Sequence, residues 1–397
     1  MSEWKKVRLG DCCEITSSKR IFYSDYVESG VPFYRSKEII ESFEGVRNFS
    51  ETLYITEERY NEIKNRFGVP SEGDLLLTSV GTIGVPYLVK QDDRFYFKDG
   101  NLTWFRSFEK TLDSKFLFYW LQTNQGKGEL DAHTIGSSQK ALTIRGLKEV
   151  SVLLPDIKQQ RRTISILSDY DSAIDNARRQ IVLLEEAAMR LYREWFVINA
   201  DPKWEKKRIV DVCSRIGAGG TPNRRQEKYW LNGTIDWIKT KELQDCWLFD
   251  SEEKITSAGL DESSAKIYPA NTVVMAIYAS PTLGRLGILD KPMCCNQAAL
   301  CLVADESQVS WEWLYCQLFE LRDEFNRIAR GAGQQNISGE VVKETVVRIP
   351  DIHAMSEFTN AARPLFSQCR SLGRQIRSLT EARDRLLPKL MSGEIEV

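Results

Sequence analysis

The sequence predicts an α+β protein in which two similar globular domains are separated by two long antiparallel helices forming a coiled coil. The whole is an internal duplication with pseudo-twofold symmetry. Three observations carry this prediction: a length beyond one core, a set of residues written twice, and two apolar stripes of helical spacing. The chain has 397 residues, whereas single cores stop growing at roughly 250–300 residues. The duplication sets the expected boundaries at 1–155 for the first globular domain, 156–198 for the first long helix, 199–350 for the second domain and 351–397 for the second helix and tail.

The two copies are aligned by residue identity. Trp4, Lys6, Arg8, Asp11 and Cys13 recur as Trp204, Lys206, Arg208, Asp211 and Cys213. The run Val31-Pro32-Phe33-Tyr34-Arg35-Ser36-Lys37-Glu38-Ile39 meets Ile235-Asp236-Trp237-Ile238-Lys239-Thr240-Lys241-Glu242-Leu243, and Thr82-Ile83-Gly84 meets Thr282-Leu283-Gly284. Residues 136–157 then align without a gap onto 331–352, with Gly136, Gln139, Lys148, Glu149, Val152, Pro155, Asp156 and Ile157 identical. The offset drifts only by short insertions, which belong in loops. A period near 200 is a duplicated domain, since solenoid repeats run to roughly 20–50 residues.

Within each copy the elements follow from local pattern. β-rich runs at 74–78, 87–90, 272–278 and 298–303 are separated by turn signals such as Asp99-Gly100-Asn101 and Asn232-Gly233. Helical stretches are expected around 117–123 and 311–325. Beyond Pro155-Asp156, the residues Leu167, Tyr170, Ile174, Ala177, Ile181, Leu184, Ala188, Leu191 and Trp195 step by 3 and 4 in strict alternation, a coiled-coil seam. In the second copy the same positions hold Ala362, Leu365, Cys369, Leu372, Ile376, Leu379, Arg383, Leu386 and Leu390, and only Arg383 breaks the apolar run. Asp156 and Asp351 suit N-caps, yet Pro364 and Pro388 predict a second helix that starts near Pro364 and bends near Pro388. Each stripe packs either on its own domain or on the other stripe. Two stripes in register with the duplication favour the second arrangement, a rod of roughly 45 Å for ~30 residues. Ile166, Leu183 and Phe196 flank the seam as exposed apolar residues and point to dependence on a partner.

Composition narrows the function. Lys+Arg 54 against Asp+Glu 56 gives a net charge of −2, which argues against non-specific coating of nucleic acid and leaves room for a local basic face. Hydrophobic residues at 42% are enough for ordinary cores. No run of ~18 apolar residues predicts a membrane span, and the opening residues lack the pattern of a signal peptide. A cytoplasmic protein is expected. Nine cysteines without CxxC spacing predict buried thiols, with neither disulfide framework nor metal site. His133 and His353 fall at non-matching places in the two copies, so no histidine-based catalytic site is expected. Phosphate-loop, dinucleotide and nucleophile-elbow motifs are absent, and Glu185-Glu186 reads as a solvated charged face. The chain reads as a binding protein with no catalytic residues of its own.

The duplicated polar loops offer hydrogen-bond donors suited to DNA. Arg35-Ser36-Lys37 and Lys239-Thr240-Lys241 keep charge, hydroxyl and charge in order. Thr78, Ser79 and Thr82 stand in a glycine-rich turn, answered in the second copy by Tyr278, Ser280 and Arg285. Ser137, Gln139 and Lys140 correspond to a loop with Gln334, Gln335 and Asn336. Gln and Asn pair bidentately with adenine edges, Arg and Lys with guanine. Taken singly, each is explained as a solvated loop; together, on duplicated domains, they suit a reader of two half-sites.

The opening Trp4-Lys5-Lys6-Val7-Arg8-Leu9-Gly10-Asp11, the segment Leu154-Pro155-Asp156-Ile157 and the ending Leu386-Leu387-Pro388-Lys389-Leu390-Met391-Ser392-Gly393-Glu394-Ile395 resemble the specificity subunit of type I restriction–modification systems. The resemblance implies two target-recognition domains that read the halves of a split DNA sequence, with helices that set the gap and dock two methyltransferase subunits. Those subunits would use S-adenosylmethionine to methylate adenine at N6, and restriction subunits using ATP and Mg would cleave. This chain itself would bind double-stranded DNA and no cofactor. Its charge predicts weak DNA binding without those partners. Three other readings stay open: a recognition subunit of another DNA-defence system, a two-headed coiled-coil scaffold for protein or carbohydrate, and an enzyme with an unrecognised site.

Overall fold

The structure is a computed structural model that describes residues 4–397 except 44, 46–48, 50, 137–139, 279–281 and 332–335. Two compact units divide it: residues 1–172 with 379–397, and residues 173–378. Each unit therefore holds a globular part and a stretch of both long helices.

In the first unit, the run Leu75-Leu76-Leu77 is buried on both faces, the mark of a central strand. Side chains alternate along it. Leu75 and Leu77 join Phe105, Phe116 and Trp120 in one apolar cluster, while Leu76 joins Phe97 and Trp104 in another. This strand, Leu75–Thr78, lies between Leu102–Arg106 and Pro86–Leu88, with Glu14–Thr16 at the far edge. A second sheet orders Tyr26–Val27, Leu53–Ile55, Val31–Tyr34 and Tyr96–Phe97. The second unit repeats the plan. Val273–Ala276 sits between Ala299–Ala304 and Leu286–Leu289, flanked outside by Cys213–Ala218 and Cys246–Leu248. Val273 and Met275 face one cluster, Val274 and Ala276 another. The two units share a parallel pair at the same place, Phe33 opposite Tyr96 and Trp237 opposite Cys294, and the second unit adds another between Cys246–Leu248 and Leu286–Leu289.

The long helices run Ile157–Arg193 and Ile352–Ser392. Asp156 Oδ1 accepts from Gln159 N at 2.9 Å and Asp351 Oδ1 from Ala354 N at 2.9 Å, so both helices start at the same capping signal. The expected start near Pro364 is corrected, because Pro364 lies twelve residues inside the second helix. An interior proline strips the hydrogen bond from the carbonyl four residues earlier. Asn360 and Pro364 are both exposed, so water meets that carbonyl. The helix also continues past Pro388.

Within the first unit, Leu167 shares a cluster with Leu387, Leu390 and Met391, so the start of one helix packs on the end of the other. Within the second, Ala188 and Tyr192 share a cluster with Phe358, Ala362 and Phe366, again start against end. The helices are thus antiparallel in each unit. Leu167, Tyr170, Ile174, Ile181, Leu184, Leu191 and Trp195, and Leu365, Leu372, Ile376, Leu379, Leu386 and Leu390, are all buried or half-buried. Of the three flanking apolar residues, only Leu183 is exposed. Phe196 stacks edge-on against Phe358 with ring centroids 5.0 Å apart, and Ile166 packs on the first unit's core. Glu185 is not a solvated charge, a second correction: it is largely buried, and burial followed by the nearby Asp245 raises its carboxyl pKa to about 7.

Candidate nucleic-acid interface

Four backbone segments meet at one edge of the first unit. Lys98 N donates to Tyr34 O at 2.9 Å, joining the 98–101 turn to the strand that leads into Arg35-Ser36-Lys37. Ser79 N donates to Asn101 O at 2.8 Å, and Leu142 N donates to Ser79 O at 2.9 Å. The segment around Lys140 is thereby tied to the glycine-rich turn, and that turn to the other two. The second unit makes the same three bonds: Asn296 N to Ile238 O at 2.9 Å, Ile277 N to Ala298 O at 2.9 Å and Ile337 N to Ile277 O at 3.0 Å. The turn itself closes identically, with Gly84 N donating to Thr78 O at 2.8 Å and Gly284 N to Ala276 O at 2.9 Å. Gly84 and Gly284 have φ of +83° and +80°, a conformation in which other residues are strained.

This framework brings together many of the residues expected from sequence, in different states. Thr82 and Lys140 are exposed in the first unit, and Tyr278 and Asn336 in the second, while Arg285 is half-buried. Thr78 and Ser79 are corrected as DNA donors, because both are buried and their hydroxyls are consumed inside. Thr78 Oγ1 accepts from Val85 N at 2.9 Å, and Ser79 Oγ lies 2.7 Å from Thr103 Oγ1. Ser36 Oγ reaches Asn101 O at 3.5 Å, which places it beside that turn. Thr240 opens a short helical turn beside Lys239 and Lys241. Ser137, Gln139, Ser280, Gln334 and Gln335 lie outside the described residues.

The basic residues of the repeated run are already paired. Arg35 is held by the buried Glu38 at 2.6 Å, whose hydrogen bonds raise its pKa above the usual value. It therefore fastens the helix start and offers little to a ligand. Lys37 pairs with Glu51 at 2.9 Å, and Lys241 with Glu252 at 2.6 Å. Lys239 pairs with Glu252 at 2.8 Å and Glu253 at 2.7 Å, which hold its pKa up. Exposed pairs of this kind contribute ~0–1 kcal/mol, so a phosphate can displace the carboxylate from Lys37 or Lys241 at small cost. Lys98 and Lys140 are exposed and have no ion-pair partner among the described residues.

Sequence reasoning marked a turn at Asp99-Gly100-Asn101 but did not join it, or the segment packed beside it, to the donor edge. Arg20 Nε meets Asp99 Oδ2 at 3.1 Å, next to the exposed Phe22 and Tyr23. In the second unit Thr221 hydrogen-bonds to Gln297, beside Arg224. The available signal was the pair of basic doublets, Lys19-Arg20 and Arg224-Arg225, each followed by aromatics. These doublets fall where the two copies do not align, so the duplication did not reveal them.

The geometry defines a protein with one framework built twice, and comparison with known proteins places it in a family. The model of the type I restriction modification DNA specificity domain matches residues 1–186 and again 202–356, and the chain belongs to that family. It is 25% identical to the type I restriction enzyme MjaIX specificity subunit of Methanocaldococcus jannaschii, with 100% of this chain and 94% of that protein aligned. It is 20% identical to the type I restriction enzyme HindI specificity subunit of Haemophilus influenzae, with 100% of both covered. Its fold is shared with the S subunit of a type I restriction–modification system from M. genitalium, at a TM-score of 0.58, 15% identity and coverage of 98% and 96%. Among the described residues, no helix is long and apolar enough to cross a membrane.

Proposed function

We propose that this chain is the DNA-reading specificity subunit of a type I restriction–modification complex, with one half of a split sequence read by each unit. The observation that carries the reading is the same three-bond junction of polar segments in both units, with different side chains on it. Such a framework holds exposed donors rigidly while letting their identities differ, as two unlike half-sites require. Domains at 1–155 and 199–350 would do the reading, and the segments 156–198 and 351–397 would set the gap between half-sites. Two methyltransferase subunits would dock on the chain, transferring methyl from S-adenosylmethionine to adenine N6. Restriction subunits would add ATP- and Mg-dependent cleavage, all in the cytoplasm of a bacterium or archaeon.

Base-resolution mapping of adenine methylation with the gene intact and deleted tests this. Methylation at one split motif, lost on deletion, is the expected result. A map unchanged by deletion while the complex is expressed would contradict it.

A further inference from the structure

One turn of the first unit carries exposed aromatic rings that its fold does not need. Residues Tyr23–Asp25 form a short 3-10 helix. It is closed by Asp25 N donating to Phe22 O at 2.9 Å and Phe22 N donating to Asp25 Oδ2 at 3.0 Å. On one side Ile21 is buried, and on the other Tyr26 packs on Phe33 with ring centroids 5.4 Å apart. The turn is thus pinned at both ends. Between the pins, Phe22 is 60% exposed and Tyr23 90%, the highest value for a large apolar residue among those described. Tyr23 also meets the Tyr26 ring edge-on at 6.0 Å, so the exposed rings form one cluster on a fixed support.

The second unit builds the same turn without them, although residue identity does not mark it. Glu227–Tyr229 form a matching 3-10 helix, with Tyr229 N donating to Gln226 O at 3.0 Å. Trp230 packs on Trp237 at 5.1 Å, as Tyr26 does on Phe33. At the two exposed places stand Gln226 and Glu227. A backbone that closes equally well over polar side chains leaves Phe22 and Tyr23 without a part in folding. Clustered rings held in water suit contact with another molecule.

The surroundings say which molecule. Arg20 Nε meets Asp99 Oδ2 at 3.1 Å, with the arginine side chain 70% exposed and the aspartate 23%. That pair ties the turn to the 98–101 segment and so to the donor edge. Phe22 is two residues on from Arg20, so their Cα atoms lie within about 7 Å of each other. Lys19 and Lys98 are exposed and have no ion-pair partner among the described residues. The Asp25 carboxylate is taken up by the Phe22 N–H, which leaves Glu28 as the one free acid on residues 17–28. Rings beside an excess of positive charge fit a polyanion with flat, stackable groups.

We propose that Phe22 and Tyr23 insert between stacked base pairs of the half-site read by the first unit, an insertion that the second unit does not make. The first half is then selected partly by how easily its steps unstack, which favours pyrimidine–purine steps there. This inference rests on the proposed function and adds a second mode of reading to one half only.

The assembled complex, bound to its split duplex with 2-aminopurine replacing one first-half adenine at a time, tests this. That base brightens when it is unstacked. The unaltered complex should brighten it at the inserted step. F22Q/Y23Q, which gives the turn uncharged side chains of the second unit's polar kind, should abolish the signal with circular dichroism unchanged. Its binding should weaken by about tenfold to a hundredfold, as lost base–aromatic stacking does. On a duplex with the first half scrambled, the two proteins should bind alike. Tyr23→Phe keeps the ring and should retain both brightness and affinity. Unchanged brightness and affinity in F22Q/Y23Q would overturn the insertion while leaving the proposed function intact. An equal loss on the scrambled duplex would also overturn it, making the rings a general backbone contact. Loss of a partner subunit from F22Q/Y23Q in native mass spectrometry would overturn it as well, making them a protein contact. Failure of the unaltered complex to prefer any split duplex would overturn the proposed function itself.

Discussion

At corresponding positions of the long helices, the two units solve one packing problem in opposite ways. In the first unit Arg383 pairs with Asp171 at 2.7 Å, and Tyr119 Oη donates to the same carboxylate at 2.5 Å. Shifted by the duplication, those helix positions become Ala188 and Phe366, both buried in the second unit's apolar cluster. Thr163 of the first unit likewise corresponds to Phe358 of the second, which touches the rings of Tyr192, Trp195 and Phe196. The lone break in the apolar stripe is therefore no defect. One interface is served by an ion pair in one place and by an aromatic ring in the other, and the backbone is indifferent to the choice.

The largest effect expected from probing this difference is Phe358→Ala, which should cost the second unit about 3–5 kcal/mol, as deletion of a fully buried ring does. Thr163→Ala should cost the first unit only about 1 kcal/mol, and denaturant unfolding of the two variants compares them. Asp171→Ala should cost about 1–2 kcal/mol, less than a fully buried pair because Arg383 and Asp171 stay 24% and 33% exposed. The transplant D171F/R383A should lose less than either single change, since well-packed apolar residues replace such a pair at little cost. A double variant worse than both singles would show that the two units are not interchangeable here.

Glu185 gives the comparison a pH dependence. Its carboxyl pKa in the fold is about 7, raised by burial, whereas the unfolded chain ionises near the ordinary ~4.3. Between those values the unfolded state binds fewer protons, so stability falls as pH rises from about 4.3 to 7 and then levels. Glu185→Gln should remove this slope and raise the second unit's stability at pH 8 by about 1–3 kcal/mol. The first unit has Thr380 at the corresponding position and so lacks this contribution to the slope. Melting curves across pH distinguish the two.

What the sequence made legible was whatever depends on identity or period. The duplication, the helical stripes and the central strands all leave repeating marks. The role of Arg383 was hidden because Asp171 lies 212 residues away and off the seam. Thr78 and Ser79 looked like exposed loop donors because a hydroxyl in a glycine-rich turn reads the same whether it faces water or Thr103. Pro364 misled because a helix tolerates proline where the freed carbonyl meets solvent, and exposure is not written in a local pattern. The 98–101 turn joined the donor edge only through long-range backbone bonds. The identity of neighbouring loops is set by topology, which composition does not convey.

The most informative effects concern reading itself. The account's central claim is that each unit reads its own half of a split sequence. Half-site-resolved DNA binding of the assembled complex tests this directly, with oligonucleotides altered in one half at a time. Changing Lys98 and Lys140 to Ala should weaken binding by about 1–3 kcal/mol per lost contact and relax preference in one half only. Changing Tyr278 and Gln297 to Ala should relax the other half. Equal losses on every sequence, or both variants relaxing the same half, would contradict the claim.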